Sequence, residues 1–371
     1  MNILVMNWLD LKNPNAGGAE LHVFEIFKRL AARGHRVRMV CSGWAGAPPE
    51  VVIDGIAVRR VATRNGFALR GRGAVRRALA DERPDIVVED INKLPLFLAS
   101  LTSLPFCAMV PHLFGDTAFQ EASWPAATIV WLSEGPVPWA YRRAGFHAIS
   151  ESTRDDLIAR GVQRDRIRVI HPGVDSGRFT PGPPGTRATS PSFLYVGRLK
   201  RYKGVDVAIR ALAVARCTRA DLRLDIAGSG DYRSHLEGLA ASLGVASAVT
   251  FHGFVSEDQK IRLLRQAWGN LFPSPKEGWG ITVVEAGACG TPSLASDSPG
   301  LRDSVRHGET GFLAPHGDAQ ALADRMLQLA AEPALVERLG AGARQFAEAH
   351  TWERSAEATE RHLHDIIAGS A

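Results

Sequence analysis

Two glutamates enclose a pair of glycines in the second half of the chain, just after an apolar run. Glu277 and Glu285 are eight positions apart, and Gly278 and Gly280 follow the first of them. Glycines let the backbone approach a ligand closely, and a helix beginning after them would point unpaired N–H groups at an anion such as a phosphate. The carboxylates could then bind the hydroxyls of a sugar and of a ribose in one ligand. The simpler alternative is a strand, loop and helix with two surface glutamates.

A second candidate segment follows the first apolar strand of the second half. It reads Gly197-Arg-Leu-Lys-Arg-Tyr-Lys-Gly204 and lies where a parallel sheet presents its ligand crevice. Arg198 and Lys203 could neutralise a diphosphate leaving group, the arginine through its planar fork and the lysine as a compact charge. A basic strand-to-helix turn without a ligand is the alternative.

The first half has its own candidates. Gly17 and Gly18 stand between the first strand and the first helix, where a helix start could meet a phosphate or a sugar. His112 follows the apolar run 106–110 and could donate to a sugar hydroxyl or carry charge near the reacting atoms. The alternatives are a helix cap and a structural histidine. Because the glycines do not form G-x-G-x-x-G, a bound dinucleotide has little support.

Other features bound the class of protein. The 371 residues suffice for two domains, and the four cysteines are scattered singly, as reduced thiols in the cytosol would be. The sequence has no D-x-D, P-loop, G-x-S-x-G or H-E-x-x-H, so no metal site is expected and kinase, serine hydrolase and zinc protease activities lack support. Apolar runs are too short to cross a bilayer. We therefore expect a cytoplasmic protein, with a peripheral position on the inner face of the membrane left open.

Arginines are concentrated in one part of the first half, although the net charge is only +5. This region could contact a phosphate-bearing acceptor or an anionic membrane, with Phe67 and Leu69 touching lipid. A solvated basic loop and helix is the alternative, and nucleic acid is disfavoured because no binding motif accompanies the charge. The arginines are Arg59, Arg60, Arg64, Arg70, Arg72, Arg76 and Arg77.

Apolar runs alternate with amphipathic helices along both halves, which predicts an α/β protein with parallel sheets covered on both faces. A proline-rich segment, 175–192, is interpreted as the linker between a domain over 1–174 and a domain over 193–351. Helices are predicted over 20–33 and 205–216, and a last helix from 352. Strands are predicted over 3–6, 37–41, 56–61, 85–88, 106–110, 147–149, 168–170, 193–196, 222–227, 249–252, 270–273 and 293–295.

These motifs, taken in order, resemble those of glycosyltransferase family 4, the retaining nucleotide-sugar glycosyltransferases. The resemblance implies the GT-B fold, in which two Rossmann-like domains with parallel sheets face a deep interdomain cleft and the last helix, 352–371, packs back on the first domain. The stretch from His171 to Asp175 departs from the usual Pro-Asn-Gly-Val-Asp. Further matching elements are Gly290-Thr-Pro292, Pro299-Gly300, Gly308-Glu-Thr-Gly311 and Asp318.

The resemblance also implies roles for individual residues. The first domain would bind the acceptor and the second the donor, with Gly228 and the backbone after Gly253 near the nucleotide. The residues expected at the reacting centre are Glu277, His112, Arg198 and Lys203. The expected donor-binding residues are Gly17, Gly18, Gly197, Arg198, Lys203, Gly228, Gly253, Phe254, Val255, Glu277, Gly278, Trp279, Gly280, Ile281, Thr282 and Glu285.

We therefore expect a retaining, hexosyltransferase-like enzyme that moves a sugar from a nucleoside diphosphate sugar to an acceptor hydroxyl. No metal or other cofactor is expected. The acceptor would be a carbohydrate, a lipid-linked molecule or a small molecule, as in bacterial polysaccharide, glycolipid or glycoconjugate synthesis. The alternatives are a nucleotide-sugar epimerase of the same fold and a non-catalytic nucleotide-sugar-binding protein.

Overall fold

The computed structural model describes residues 1–121 and 123–370, and the chain divides into two compact units. The first unit contains Met1–Gly173 and Trp352–Ala371, and the second contains Val174–Thr351. Each unit is built around one sheet with helices packed on it. Among the described residues, no helix combines the length and the apolar character that crossing a membrane requires.

The first unit has an eight-stranded sheet in the order β3-β4-β2-β1-β5-β6-β7-β8. Its central strands are buried along their whole length, as a sheet covered on both faces requires. All pairs are parallel except β3 with β4. The elements are β1 (Asn2–Met6), α1 (Gly18–Ala32), β2 (Arg36–Gly43), β3 (Glu50–Ile53), β4 (Ile56–Thr63), α2 (Arg64–Glu82), β5 (Ile86–Asp90), β6 (Phe106–Val110), α3 (Ala118–Glu121), α4 (Trp124–Glu134), α5 (Val137–Ala140), β7 (Gly145–Ala148), α6 (Glu151–Ala159) and β8 (Ile167–Val169).

The second unit has a six-stranded sheet, β11-β10-β9-β12-β13-β14, in which every pair is parallel. Its core lies between the sheet and the helices on each side. The elements are β9 (Ser192–Val196), α7 (Val205–Arg216), β10 (Arg223–Ala227), α8 (Arg233–Ser242), β11 (Val249–Gly253), α9 (Glu257–Gln266), β12 (Gly269–Phe272), α10 (Ile281–Ala288), β13 (Ser293–Ser296), α11 (Leu301–Ser304), β14 (Gly311–Ala314), α12 (Ala319–Ala331) and α13 (Pro333–Ala349).

The last helix, α14 (Trp352–Ser370), belongs to the first unit and packs on α1. Its buried Ala356 and Leu363 share a hydrophobic cluster with Phe24 of α1. At the rim of this contact, Arg29 bonds Glu353 at 2.8 Å. The helix is therefore fixed to the first unit by apolar packing and by ion pairs.

Two strands were absent from the sequence prediction. β3 is paired antiparallel to β4 through a tight turn at Asp54 and Gly55, whose φ angles are 49° and 81°. Positive φ at both positions is the requirement of a type I′ hairpin turn, so this Asp-Gly pair carried the missed signal. β14 is a four-residue edge strand beside β13, too short for its pattern to stand out.

The segment 175–192 is not a free linker but lies along the second unit. Arg344 of α13 donates to the carbonyl oxygens of Ser176 (3.2 Å) and Phe179 (2.7 Å). Further along, the Ala188 N–H donates to the carbonyl of Gln266 at 2.9 Å, and β9 already begins at Ser192. Prolines lack an N–H and cannot join a ladder, but their neighbours' carbonyls still accept bonds, which composition alone does not reveal.

Candidate functional site

Three glycines lie at the carboxyl ends of neighbouring strands in the second unit. The Gly197 N–H donates to the Ala227 carbonyl (3.0 Å), and the Gly228 N–H donates to that of Gly253 (2.7 Å). Gly228 has φ 141°, and a Cβ there would collide with the carbonyl oxygen of Gly197. Only glycine fits this position. The backbones of the loops after β9, β10 and β11 therefore lie in close contact at this edge of the sheet.

Two residues predicted at the reacting centre form an ion pair on this edge. Lys203 Nζ lies 2.6 Å from Glu277 Oε1, and the side chains are only 13% and 14% exposed. Burial lowers the pKa of Lys203, but the Glu277 carboxylate and the Tyr202 hydroxyl outweigh it, so the pKa is raised and the lysine stays charged. The pair joins the loop after β9 to the loop after β12, and its two charges compensate each other.

The loop that carries Glu277 is fixed by a neighbouring turn. The Glu277 N–H donates to the Pro299 carbonyl at 3.1 Å. Gly300 has φ 80°, and a Cβ on it would collide with the carbonyl oxygen of Glu277. The loop then passes through Gly280, with φ 92°, into α10, which begins at Ile281 as predicted. The start of α10 at Ile281 therefore follows closely after Glu277 in the sequence. The half-buried Thr282 lies in the first turn of this helix.

Glu285, on α10, is buried and paired with a residue that the sequence did not single out. Its Oε1 lies 2.8 Å from Nζ of Lys260 on α9. The lysine ammonium also lies over the ring of Phe179, 4.9 Å from its centroid. Lys260 lies in an ordinary amphipathic helix with no glycine beside it, so only the three-dimensional structure brings it to Glu285.

The other predicted residues of this unit differ in exposure. Arg198 is exposed, and its Nη2 donates to the Tyr202 hydroxyl at 3.2 Å. Phe254 is 85% exposed beyond the end of β11, and Val255 beside it is half-buried. Gly278 and Trp279 are buried, and the Trp279 indole stacks on Phe346 of α13 at a centroid distance of 6.2 Å. The indole thus packs the loop against α13.

The predicted residues of the first unit are Gly17, Gly18 and His112. The Gly17 N–H donates to Oε2 of Glu20 at 2.8 Å, so the helix-cap alternative describes this contact. Oε1 of Glu20 also accepts from Lys93 at 2.9 Å. His112 packs edge-on against Phe114, with ring centroids 4.8 Å apart. These residues lie after β1 and β6, two strands near the middle of the sheet.

The arginine-rich region is less uniform than its sequence implies. Arg60 is buried, and it bonds both oxygens of Asp10 at 2.7 and 3.2 Å. Arg72 bonds the carbonyl of Phe97 at 3.0 Å. Phe67, expected to touch lipid, is fully buried against Trp8, with centroids 5.4 Å apart. That expectation was wrong because Phe67 is on the core-facing side of α2; the exposed arginines of this helix are Arg64, Arg70, Arg76 and Arg77.

Two family models match the chain one after the other. The model described as Glycosyltransferase Family 4 matches residues 16–178, and that described as Glycosyl transferases group 1 matches residues 180–346. A D-inositol 3-phosphate glycosyltransferase from Streptomyces scabiei (strain 87.22) is 31% identical over 93% of this chain and 85% of its own length. The chain belongs to glycosyltransferase family 4. Family membership confirms the resemblance inferred from the motifs.

Solved structures agree with a family 4 fold. Sucrose-phosphate synthase from Thermosynechococcus elongatus superposes with a TM-score of 0.85 at 24% identity, covering 99% of both chains. HepE from Anabaena, solved in complex with UDP and glucose, has a TM-score of 0.80 at 18% identity over 98% of this chain and 100% of its own. The fold is GT-B, as predicted, and this family 4 protein is a glycosyltransferase.

Proposed function

We propose that this glycosyltransferase moves a sugar from a nucleoside diphosphate sugar to an acceptor hydroxyl, with retention of the anomeric configuration and without a metal ion. The observation that carries the proposal is the Lys203–Glu277 ion pair at the carboxyl edge of the parallel sheet. Glu277 comes shortly before the start of α10 at Ile281. A cation, a carboxylate and a helix start are what a sugar diphosphate needs in one place.

The departing diphosphate would be stabilised by three groups. Arg198 is exposed on the loop after β9 and Lys203 lies five residues further along. The start of α10 adds N–H groups that Gly280, at the N-cap position, has no side chain to cap. When a diphosphate binds, Lys203 gains a second anion beside Glu277. Charge developing on the leaving oxygen then meets fixed cations, which is the role that a metal ion has in other transferases.

Glu277 would orient the sugar. Because its carboxylate already shares charge with Lys203, it suits the acceptance of hydrogen bonds from sugar hydroxyls better than nucleophilic attack. Retention then follows because the acceptor oxygen attacks the anomeric carbon from the same face of the sugar from which the phosphate leaves. The bond from the anomeric carbon to the phosphate oxygen breaks, the acceptor oxygen bonds to that carbon, and the leaving phosphate oxygen takes the acceptor's proton.

The nucleotide to test first comes from a protein of the same fold. Because HepE was solved in complex with UDP and glucose, UDP is the first nucleotide to test. The acceptor would be a carbohydrate, a lipid-linked molecule or a small molecule in bacterial polysaccharide, glycolipid or glycoconjugate synthesis. The enzyme would act in the cytoplasm or on the inner face of the membrane, with no cofactor.

The test is thermal unfolding of the protein with EDTA and each of UDP, GDP, ADP, CDP and dTDP. A nucleotide at a hundred times its dissociation constant adds about 2.7 kcal/mol to stability. Arg198→Ala should lose that gain, whereas Arg201→Ala, an exposed arginine in the same turn, should keep it. No stabilisation by any nucleotide would contradict the donor assignment.

Product analysis tests the reaction itself. With the best nucleotide's sugars and an acceptor library, the anomeric configuration of the product is read by NMR. An inverted product would contradict retention, and loss of transfer in EDTA that Mg²⁺ or Mn²⁺ restores would contradict metal independence. A changed sugar nucleotide formed without acceptor would instead establish an epimerase.

A further inference from the structure

The first unit exposes a group of large apolar side chains on α4 and α5. Trp124 is 76% exposed and Trp139 is 71% exposed, and they are the first and last members of the group along the chain. Large exposed apolar side chains that occur together mark a binding surface, whereas single ones are ordinary. We call this group the tryptophan surface; its members are Trp124, Ile129, Trp131, Leu132 and Trp139.

α4 has the reverse of the usual helix polarity. In the ordinary case the apolar stripe packs on the core and the polar face is wet. Here Ala127 and Glu134 are the buried residues of α4. The Glu134 carboxylate accepts from the backbone N–H groups of Phe114 (2.6 Å) and Gly115 (2.8 Å). A carboxylate thus anchors the helix inward, and Trp124 and Trp131, seven residues apart, share an outward face, while Leu132 beside them is also exposed.

The charged side chains around the tryptophan surface include one exposed carboxylate and two exposed arginines; the carboxylate is Asp116, whose Oδ1 accepts from Nε1 of Trp131 at 3.1 Å. Between Ser123 and Tyr141 the one charged side chain is Glu134, which is buried. Arg142 and Arg143 follow at once, and both are exposed. The Arg142 guanidinium lies 5.4 Å from the centroid of the Trp139 ring, so cation and indole are presented together.

We propose that the tryptophan surface docks the enzyme on an anionic phospholipid membrane. Tryptophan favours the boundary between acyl chains and headgroups, and adjacent arginines attract anionic lipid. The eleven residues of α4 are too few to span a bilayer, which takes about 20. The helix would lie in the plane of the membrane instead. This inference rests on the surface alone and not on the proposed donor chemistry.

The experiment is sedimentation of the full chain with phosphatidylcholine vesicles that contain or lack phosphatidylglycerol. The parent should bind the phosphatidylglycerol vesicles, and Trp124→Gln with Trp139→Gln should weaken that binding about tenfold or more because two indoles that would insert into the membrane are lost. Leu69→Gln removes an 86% exposed leucine on α2 and is the matched control, expected to bind like the parent. Arg142→Gln with Arg143→Gln should weaken binding only when phosphatidylglycerol is present.

Unchanged vesicle binding by the double tryptophan variant would overturn the proposal. So would a parent that ignores vesicles but forms a dimer that the same variant abolishes, since the occupant would then be a second copy. Loss of binding through Arg76→Gln with Arg77→Gln but not through the tryptophan pair would place the contact on α2 instead. All these variants should keep their melting temperature and the UDP response, so failure of docking and failure of the donor proposal are separable.

Discussion

Lys203 Nζ lies 2.6 Å from Glu277 Oε1, and this contact joins the two segments that the sequence marked separately as phosphate-binding and sugar-binding. The lysine comes from the loop after β9 and the glutamate from the loop after β12, strands that are neighbours in the sheet. The residue predicted to bind phosphate and the residue predicted to orient the sugar therefore form one ion pair. Replacement of either residue leaves the other without its ion-pair partner.

We expect a double-mutant cycle to show this coupling. Lys203→Met and Glu277→Gln should each destabilise the protein by about 1 to 3 kcal/mol, because each leaves a largely buried polar partner unsatisfied. The double variant should recover most of that loss and still fail to transfer sugar. Chemical denaturation measures the cycle. Additive losses in the double variant would mean that the pair contributes no coupling energy.

A second prediction concerns the bare backbone at the sheet edge. Gly228→Ala should destabilise the second unit and remove nucleotide binding, because its φ of 141° and the nearby Gly197 carbonyl leave no space for a Cβ. Gly238→Ala, within α8, meets no atom within 4 Å and should stabilise by about 0.5–1 kcal/mol. Thermal unfolding with and without UDP measures both. Equal nucleotide responses in the two variants would remove Gly228 from the site.

Glycine positions and apolar alternation explain why much of the architecture was predictable. The start of α10 and most strand positions follow from local signals, since a buried parallel strand is a continuous apolar run. The family and the GT-B fold were predicted from the resemblance of the motifs to those of family 4. The Lys260–Glu285 pair was not predictable, because it joins two helices that show no local sign of meeting. Phe67 was misplaced because an apolar residue among arginines can face either side of a helix, and only packing decides which.

The tryptophan surface was missed for a related reason. Its sequence, from Trp124 to Trp139, resembles a core helix, because apolar residues normally face inward. The signal that could have exposed it is Glu134, a carboxylate in an otherwise uncharged stretch. Because Glu134 is buried, the apolar side of the helix faces outward, and burial cannot be read from a sequence.

Glu285 offers a third prediction, on nucleotide recognition. If its carboxylate accepts hydrogen bonds from the ribose, the parent should prefer UDP over 2′,3′-dideoxy-UDP by about 1.5–3 kcal/mol, the usual range for bonds to a charged group. Glu285→Gln should lose most of this preference. Lys260→Met should lose part of it, because the lysine 2.8 Å away holds the carboxylate in place. Calorimetric titration measures all of these, and an undiminished preference in Glu285→Gln would remove the ribose role.

The last prediction concerns acid and the attachment of α14. Three buried histidines of the first unit, from α1, β7 and α14, are held neutral by burial. Burial lowers the pKa of His22 to about 3 and that of His362 to about 4, and it lowers the pKa of His147 well below its usual value. Neither ring nitrogen of His22 has a hydrogen-bond partner among the described residues, and its ring packs against His147 and Trp352.

The sign follows from proton uptake by the unfolded chain. Above about pH 6.5 a histidine is neutral in both states, and its contribution to stability is fully present. As the pH falls from there toward 4, the histidines of the unfolded chain bind protons and the buried native rings do not. Each such histidine therefore lowers the free energy of unfolding by up to about 1.4 kcal/mol per pH unit. Burial raises the pKa of Glu89 to about 7 and also raises that of Asp90, and these shifts have the opposite effect in the same range.

A variant therefore isolates the histidine contribution. His22→Leu should match or exceed the parent in stability at pH 7.5, since it replaces a buried ring that has no hydrogen-bond partner in the described protein. Between pH 6 and 4 the stability of this variant should fall less steeply than that of the parent. The difference between the two slopes should be up to about 1.4 kcal/mol per pH unit. His364→Gln, at an exposed position of α14, is the control and should follow the parent. Urea unfolding across pH measures the slopes; parallel curves for parent and His22→Leu would show that His22 is not the acid-sensitive group.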